Sequence, residues 1–442
     1  MKRLCALLLL LAVVFSLAAC GGDPAASSSE SGSASESASE SVSDGGSTSM
    51  VYVTGKTDAA FAAVYDTEAE KSAAEVFSAL IANAGFAPLP VYSRAQWEAG
   101  VPEGGAVFVK TGKGAAIFDL ALRHLTLTAP EDALSSAVTA AASALLSEGA
   151  SSDGEGNEHL LLSDTVAEKM EEELLCSLAT LTVMSQNIRC ASDPNGNSVA
   201  ERLPRFLQLM AAYTPDLLGT QETTHEWNTL FAEHLGEEYG MVGLSRGGYE
   251  LYDAAAGKWD EWNTILYKKS RFELLDEGTF WLSDTPDVPS KVESSSLNRI
   301  VTWALLEDLH TGEAILFVNT HFEHTSEDAR TDQAYILQEY LIEMVGEYPT
   351  YVTGDFNTST DSVMYMAMTD LLGDAMEDAE EKEAEVDYTY HNYGAGEKYQ
   401  EYIDFIFYSD GGRAPAFARI LTEQYGGYVS DHYGVFAIFT KD

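Results

Sequence analysis

Thr350-Tyr351-Val352-Thr353-Gly354-Asp355-Phe356-Asn357 reads as a short buried strand that runs into a turn at its C-terminal end. Side chains alternate along a strand, so Asp355 and Asn357 point to one side and Phe356 to the other. A carboxylate and a carboxamide two residues apart at a strand end can both touch one small object in a cleft. A water held beside a phosphorus atom would be such an object. A strand followed by a plain Asp/Asn turn fits the same letters, so the decision falls to what stands before and after.

Upstream, Leu181 to Ile188 is an apolar-rich strand ending at Gln186-Asn187, and Asp216 to Glu222 is a second buried strand that delivers a carboxylate at its end. Leu203 to Ala212 reads as a helix between them, with Pro204 in its first turn, where proline is tolerated. Glu261 to Tyr267 is a third strand, opening with a carboxylate. Thr279 to Ser283 precedes a Pro-containing loop, with Trp281 read as core. Arg299 to Leu306 returns as a strand, and Ala314 to Asn319 runs into Thr320-His321. Ser326 to Val345 has helical spacing. Downstream, Tyr402 to Tyr408 carries Asp404 between apolar residues, where a lone buried carboxylate is costly without a partner. Val429-Ser430-Asp431-His432 precedes a last strand, Val435 to Phe439. Strands ending in an acid, an amide or a His, alternating with few helices, suggest two packed sheets with helices outside and the polar ends gathered where the sheets meet.

Asn187, Gln221-Glu222, Asn319-Thr320-His321, Gly354-Asp355-Phe356-Asn357, Asp404 and Ser430-Asp431-His432 stand in an order that resembles the endonuclease/exonuclease/phosphatase superfamily, the deoxyribonuclease-I-like fold. The resemblance covers about 181 to 441. It implies an α/β four-layer sandwich of two packed mixed β-sheets flanked by helices. It also implies a metal-dependent phosphoesterase, and that agrees with the chemistry. Phosphoester hydrolysis needs in-line attack by water, neutralisation of charge on the equatorial oxygens, and help for the leaving oxygen. Glu222 is the expected metal ligand, a hard oxygen suited to Mg²⁺, with Mn²⁺ as a substitute. Asn187 adds a neutral oxygen ligand or orients one, and Asp431 completes the metal side. Asp355 would hold or deprotonate the attacking water, and Asn357 would donate to a phosphate oxygen. His432 would sit on the phosphate with Asp404 orienting its ring and favouring the charged form. His321 is the second histidine, with Glu261 as its expected partner. Arg299 either reaches a substrate phosphate or pairs with one of the many acids; His324 and His391 read as loop histidines.

The remainder of the chain sets the context. Residues 1–20 carry Lys2 and Arg3, a mostly apolar run from Ala6 to Leu17, and Leu17-Ala18-Ala19-Cys20. The run is too short to span comfortably as a mature helix. Its ending resembles a bacterial lipobox, which implies lipidation at Cys20; the alternative is an ordinary secretory leader. Residues 21–49 are mostly Ser, Gly, Ala, Glu and Asp and read as a flexible tether. Residues 50–160 read as a small α/β module of unknown role. Ala59 to Tyr65 is a strand or the start of a helix. Glu68 to Ala84 and Ala133 to Leu146 are helices, Ala106 to Lys110 and Ala115 to Phe118 strands, and 147 to 158 a loop. Asp164 to Leu175 is an acidic helix leading into a catalytic domain over 175–442. These readings place the protein on the outer face of a bacterial cytoplasmic membrane, held by its lipid alone, with no obligate protein partner evident.

The formal net charge of −45 over 442 residues repels polyanions at long range. It counts against a protein that coats nucleic acid, though not against an enzyme whose bound metal inverts the local sign. No basic helix or aromatic-rich basic stripe tracks a nucleic-acid backbone. Small or lipid-linked phosphate esters are therefore favoured as substrates, a secreted nuclease acting on DNA or RNA is the alternative, and a catalytically silent binding protein on the same fold is the third reading. Beyond the leader, Cys176 and Cys190 are too few for a disulfide framework, though one bridge between them is open.

Overall fold

The computed structural model describes residues 50–441 apart from 57, 100–104, 120–122, 153–156, 410 and 412. The expected leader, Cys20 and tether lie outside the described residues. The chain divides into two compact units, one ending at Ala179 and one beginning at Thr180.

The first unit contains a five-stranded sheet in the order Val91–Ser93, Phe61–Tyr65, Gly105–Thr111, His124–Ala129, Ala115–Asp119. The first four strands are parallel and the last is antiparallel. A three-stranded antiparallel sheet joins Val51–Gly55, Glu158–Leu162 and Ala150–Ser152, so the 147–158 stretch read as a loop contributes strand. Helices Glu68–Asn83, Leu134–Glu148 and Asp164–Ala179 pack around a core that includes Phe77, Ile81, Val138, Leu145 and Met170. Thr67 and Glu70 cap the first of these helices reciprocally. Gly85 follows it in the left-handed region, at φ 89°. The acidic helix is longer than its sequence suggested and packs on Leu134–Glu148, so it belongs with the first unit. Among the described residues, neither Cys176 nor Cys190 forms a disulfide. No helix among the described residues is long and apolar enough to cross a membrane.

The second unit is a sandwich of two mixed sheets. The seven-stranded sheet runs Tyr239–Val242, Trp262–Lys268, Leu217–Thr223, Leu181–Asn187, Gly434–Thr440, Ala414–Leu421, Glu381–Glu383. The six-stranded sheet runs Phe272–Trp281, Ile300–Asp308, Glu313–His321, Thr350–Asp355, Asp404–Tyr408, Gly373–Asp374. Alternation assigns the faces. Leu181, Val183, Leu217, Phe317, Tyr351, Ile406 and Val435 fill the layer between the sheets. Leu316, Val318, Val352, Phe405 and Phe407 face outward, under helices Glu327–Val345 and Val363–Thr369. The opposite outer face carries helices Val199–Tyr213 and His225–Leu235, whose Phe206, Trp227 and Phe231 rings pack together. The first of these two helices starts earlier than expected. Ser198 caps it with Glu201 in a reciprocal box, which leaves Pro204 inside the helix and not in its first turn.

The same alternation locates the site. Continuing the inward-facing positions to the strand ends gives Asn187, Gln221, Asn319, His321, Asp355 and Asp404, all buried. The layer between the sheets is apolar through its middle, and these side chains make the end where they gather polar. Asn319 ties the two sheets together there. Its Oδ1 accepts from Gln221 Nε2 (2.7 Å) and Thr353 Oγ1 (3.2 Å), and its Nδ2 donates to the Thr220 and Thr264 carbonyls (2.9 and 3.1 Å). Gly219 makes that approach possible, since a Cβ there would meet Thr353 Oγ1 at 2.0 Å.

Candidate active site

The polar end of the sandwich opens into a cleft of about 330 Å³, lined in part by Glu222, Glu261, Arg299, His321, Asp355, Asn357, Asp431 and His432. Asp355 sits at its centre. In register it stands between His321 and Asp404 on the neighbouring strands. Its Oδ2 accepts from Asn187 Nδ2 at 2.9 Å and lies 3.6 Å from His321 Nε2 and 3.8 Å from His432 Nε2. Its Oδ1 accepts from the Asn357 amide N–H at 3.0 Å, which closes the turn with Asn357 left-handed at φ 52°. Burial, reinforced by the nearby Asp404 charge, pushes the Asp355 carboxyl up to about 7.

His432 stands on the opposite side from His321. Its Nδ1 is 2.8 Å from Asp404 Oδ2. Burial pulls the ring down, but the Asp404 carboxylate outweighs it and lifts His432 to about 10. His321 goes the other way: burial and the Arg299 charge hold it well below its ordinary value. The site thus pairs a charged imidazole with a neutral one.

Glu222 reaches the cleft by a backbone device. Strict alternation would send it to the outer face with Leu218. A break in pairing between Thr220 and Thr223 and a left-handed φ of 58° at Glu222 turn it inward instead. Oε1 then accepts from Asn187 Nδ2 (3.1 Å) and Oε2 from the Cys190 N–H (3.0 Å). Burial raises this carboxyl, yet Arg189, the Cys190 N–H and the charged His432 together hold it below its usual range. Asp431 accepts from Ser430 Oγ at 3.1 Å, and burial raises it. Arg189 lies 3.7 Å from Glu222 and 3.6 Å from Asp431, so one guanidinium faces both acids.

Several sequence assignments change here. Glu261 does not partner His321; its carboxylate pairs with Arg246. His321 Nε2 instead meets Asn357 Nδ2 at 3.0 Å. Asn357 also donates to the Phe322 carbonyl at 3.0 Å. With both amide hydrogens committed, it is placed to position the His321 ring and has none left for a phosphate oxygen. Asn187 presents its nitrogen to Glu222 and Asp355, while its Oδ1 accepts from the Arg189 N–H (2.9 Å), so of its two expected roles the geometry fits orientation. Arg299 lines the cleft and also pairs internally, 2.9 Å from His324 Nδ1 and 3.7 Å from Glu323.

Sequence reasoning missed Arg189, Arg246, Tyr390 and Glu401 as cleft residues and passed over His324, which lines it too. Arg246 lies in a Ser-Arg-Gly-Gly loop whose carbonyl is held by Trp281 Nε1 (2.9 Å) and Asn298 Nδ2 (3.3 Å). The buried Trp281, read as plain core, therefore supports a cleft arginine.

Asp355, Asp404 and His432 each offer a ligand atom within 4.8 Å of the others, a spacing an ion could bridge. The Nδ1–Asp404 bond and the charged state of the ring make this set an acid–base couple and a poor ligand set. The hard carboxylate oxygens of Glu222 and Asp431, with Arg189 already drawn against both, are the better fit to a divalent cation.

Residues 184–432 match the Endonuclease/Exonuclease/phosphatase family. The chain belongs to this family. Endonuclease/Exonuclease/phosphatase members are phosphoesterase hydrolases that usually use divalent metals. A solved member from Bacteroides vulgatus is 32% identical, with a TM-score of 0.54, covering 60% of this chain and 99% of that one. A mannosyl-6-phosphatase of Bacteroides thetaiotaomicron is 29% identical, with a TM-score of 0.53, covering 59% of this chain and 99% of that one. An uncharacterized protein of Acanthamoeba polyphaga mimivirus is 24% identical over 181 residues, which are 36% of this chain and 26% of that protein. The matched part thus spans about a quarter of that relative's length.

Proposed function

We propose that this protein is a divalent-metal-dependent phosphoesterase of small phosphate esters, using Mg²⁺ with Mn²⁺ as a substitute. It would work outside the cytoplasm on a lipid anchor at Cys20, with the membrane met through that anchor alone. The observation that carries the reading is the line from buried Asp404 through His432 to Asp355, which reaches the cleft that Glu222 also lines. A cation held by Glu222 and Asp431 would neutralise charge on the phosphate and the leaving oxygen. Asp355, lifted towards neutral pH, accepts a proton from the attacking water. His432, charged through Asp404 at Nδ1, has its Nε2–H left to donate to a phosphate oxygen. His321, neutral and held by Asn357, faces the same oxygen of Asp355 from the other side. Arg246 and Arg299 add positive charge to the wall that a phosphate dianion would meet.

The cleft volume and the 29% identity to a mannosyl-6-phosphatase favour a small ester over a polymer. The test is hydrolysis of p-nitrophenyl phosphate and bis(p-nitrophenyl) phosphate with Mg²⁺, with EDTA, and with Asp355→Ala. Metal-dependent turnover lost in the variant is expected. Turnover that survives EDTA or Asp355→Ala would overturn the assignment. Folded protein that binds phosphate esters but hydrolyses none would point to the silent binding protein. A nuclease would show itself by a steep loss of activity with rising salt.

A further inference from the structure

A second depression, of about 460 Å³, lies beside the catalytic cleft. Cys190 lines both, and its backbone N–H is the donor to Glu222. One wall of the depression is Thr224, His225 and Glu226, which follow directly on the strand that carries Glu222. Lys258 and Trp259 line it as well. Trp259 is 61% exposed and is the one exposed tryptophan among the described residues, whereas Trp227, Trp262 and Trp281 are buried. Lys258 Nζ stands 4.8 Å from its ring.

An exposed indole that shares a depression beside the reaction centre with a hydroxyl, a carboxylate and an ammonium has a defined chemistry. Its face takes the C–H side of a saturated ring. Groups such as Glu226 and Lys258 take hydroxyls, as acceptor and donor respectively. A planar base could also stack, but its edges call for fixed amide or backbone partners, while the polar groups on these walls are mobile charges and hydroxyls.

We infer that Trp259 is a specificity-determining residue that stacks on the sugar ring of a hexose phosphate whose phosphoryl group occupies the catalytic cleft. This rests on the phosphoesterase reading above and names its substrate class. The leaving group is then the sugar alcohol, released as the P–O bond breaks, while water supplies the new oxygen on phosphorus and the departing oxygen takes up a proton.

The test compares kcat/KM for mannose 6-phosphate with that for glycerol 3-phosphate, which has no ring, in the parent, Trp259→Ala and Trp259→Phe. The ratio of the two should fall about tenfold in Trp259→Ala, the size of one aromatic stacking contact, and recover in Trp259→Phe. A ratio unchanged in Trp259→Ala overturns the inference. So does a tenfold selective loss for adenosine 5′-phosphate in place of the hexose ester, which would identify a base as the occupant. Fluorescence provides a readout independent of turnover: saturating mannose 6-phosphate should change the indole emission of the parent and not of Trp259→Phe. If the parent hydrolyses neither ester but this change is present, the sugar site stands and the catalytic reading falls. If glycerol 3-phosphate is hydrolysed and the change is absent, the reverse holds.

Discussion

Replacing Asp404 with Asn should disable His432 while leaving it in place. Asp404 Oδ2 lies 2.8 Å from His432 Nδ1, and its Oδ1 has no hydrogen-bond partner among the described residues, so the carboxylate acts chiefly through this ring. Holding an imidazole at about 10 against an ordinary 6.5 corresponds to roughly 5 kcal/mol in favour of its charged form. A carboxamide keeps an acceptor for the Nδ1–H but removes the charge. Burial, which already opposes protonation, then prevails, and the ring is neutral at pH 7. Loss of a charged donor on the phosphate should lower kcat about 10²–10⁴-fold. Two assays check this: turnover at pH 7 with Mg²⁺, and an NMR titration of the imidazole in EDTA. The sign also fixes a stability effect. A folded value above the unfolded one stabilises fully below about 6.5 and the gain is lost as pH rises through about 10. Asp404→Asn should therefore lose more stability at pH 6 than at pH 10. A variant whose His432 still titrates near 10, or whose turnover stays within threefold of the parent, would refute the reasoning.

Other outcomes follow from the same geometry. Near-saturating Mg²⁺ should raise the melting temperature of the parent by about 2–4 °C, and Glu222→Gln should abolish that rise in a thermal scan. Asp355 is an acid whose folded value is raised, so between about 3.8 and about 7 the folded state keeps a proton that the unfolded state has lost, and stability falls as pH rises through that window. Asp355→Asn should gain on the parent by about 1–3 kcal/mol between pH 4 and pH 8 in EDTA, measured by urea unfolding, while losing turnover. A gain that is flat with pH would contradict the assignment. Away from the cleft, Asp308 is fully buried between Arg271 (2.9 Å) and Arg413 (3.2 Å). Asp308→Ala leaves both guanidiniums short of a partner and should lower the urea midpoint of the second unit by about 1 M, with catalysis intact in the folded fraction.

Strand parity made much of the second unit legible. Counting by twos from Leu181 leads to Asn187, from Phe317 to His321 and from Ile406 back to Asp404, and all of them face the layer between the sheets. Parity fails at Glu222, because a left-handed residue in a strand leaves no trace in a run of letters that otherwise reads as regular. Glu261 was given the wrong partner because Arg246 approaches from a loop fifteen positions earlier, and loop closure is not a periodic signal. The Ser198–Glu201 box was visible, but Pro204 drew the helix start forward. In the first unit, His124–Ala129 is a strand whose Leu/Thr alternation was legible in the sequence.

The acids that face each other across the cleft belong to different sheets, Glu222 to one and Asp355 to the other. Their separation is measured by Asn319, bonded to both sheets and lying 98 residues from Gln221 along the chain, and by the bare Cα of Gly219. That makes a noncovalent ruler whose length is set by atomic radii and one carboxamide, and loop length does not enter it. The loops around the mouth are thus free to lengthen, shorten or trade side chains to suit a different leaving group while the distance that governs phosphorus chemistry stays the same. A lineage could change its diet without recalibrating its catalyst.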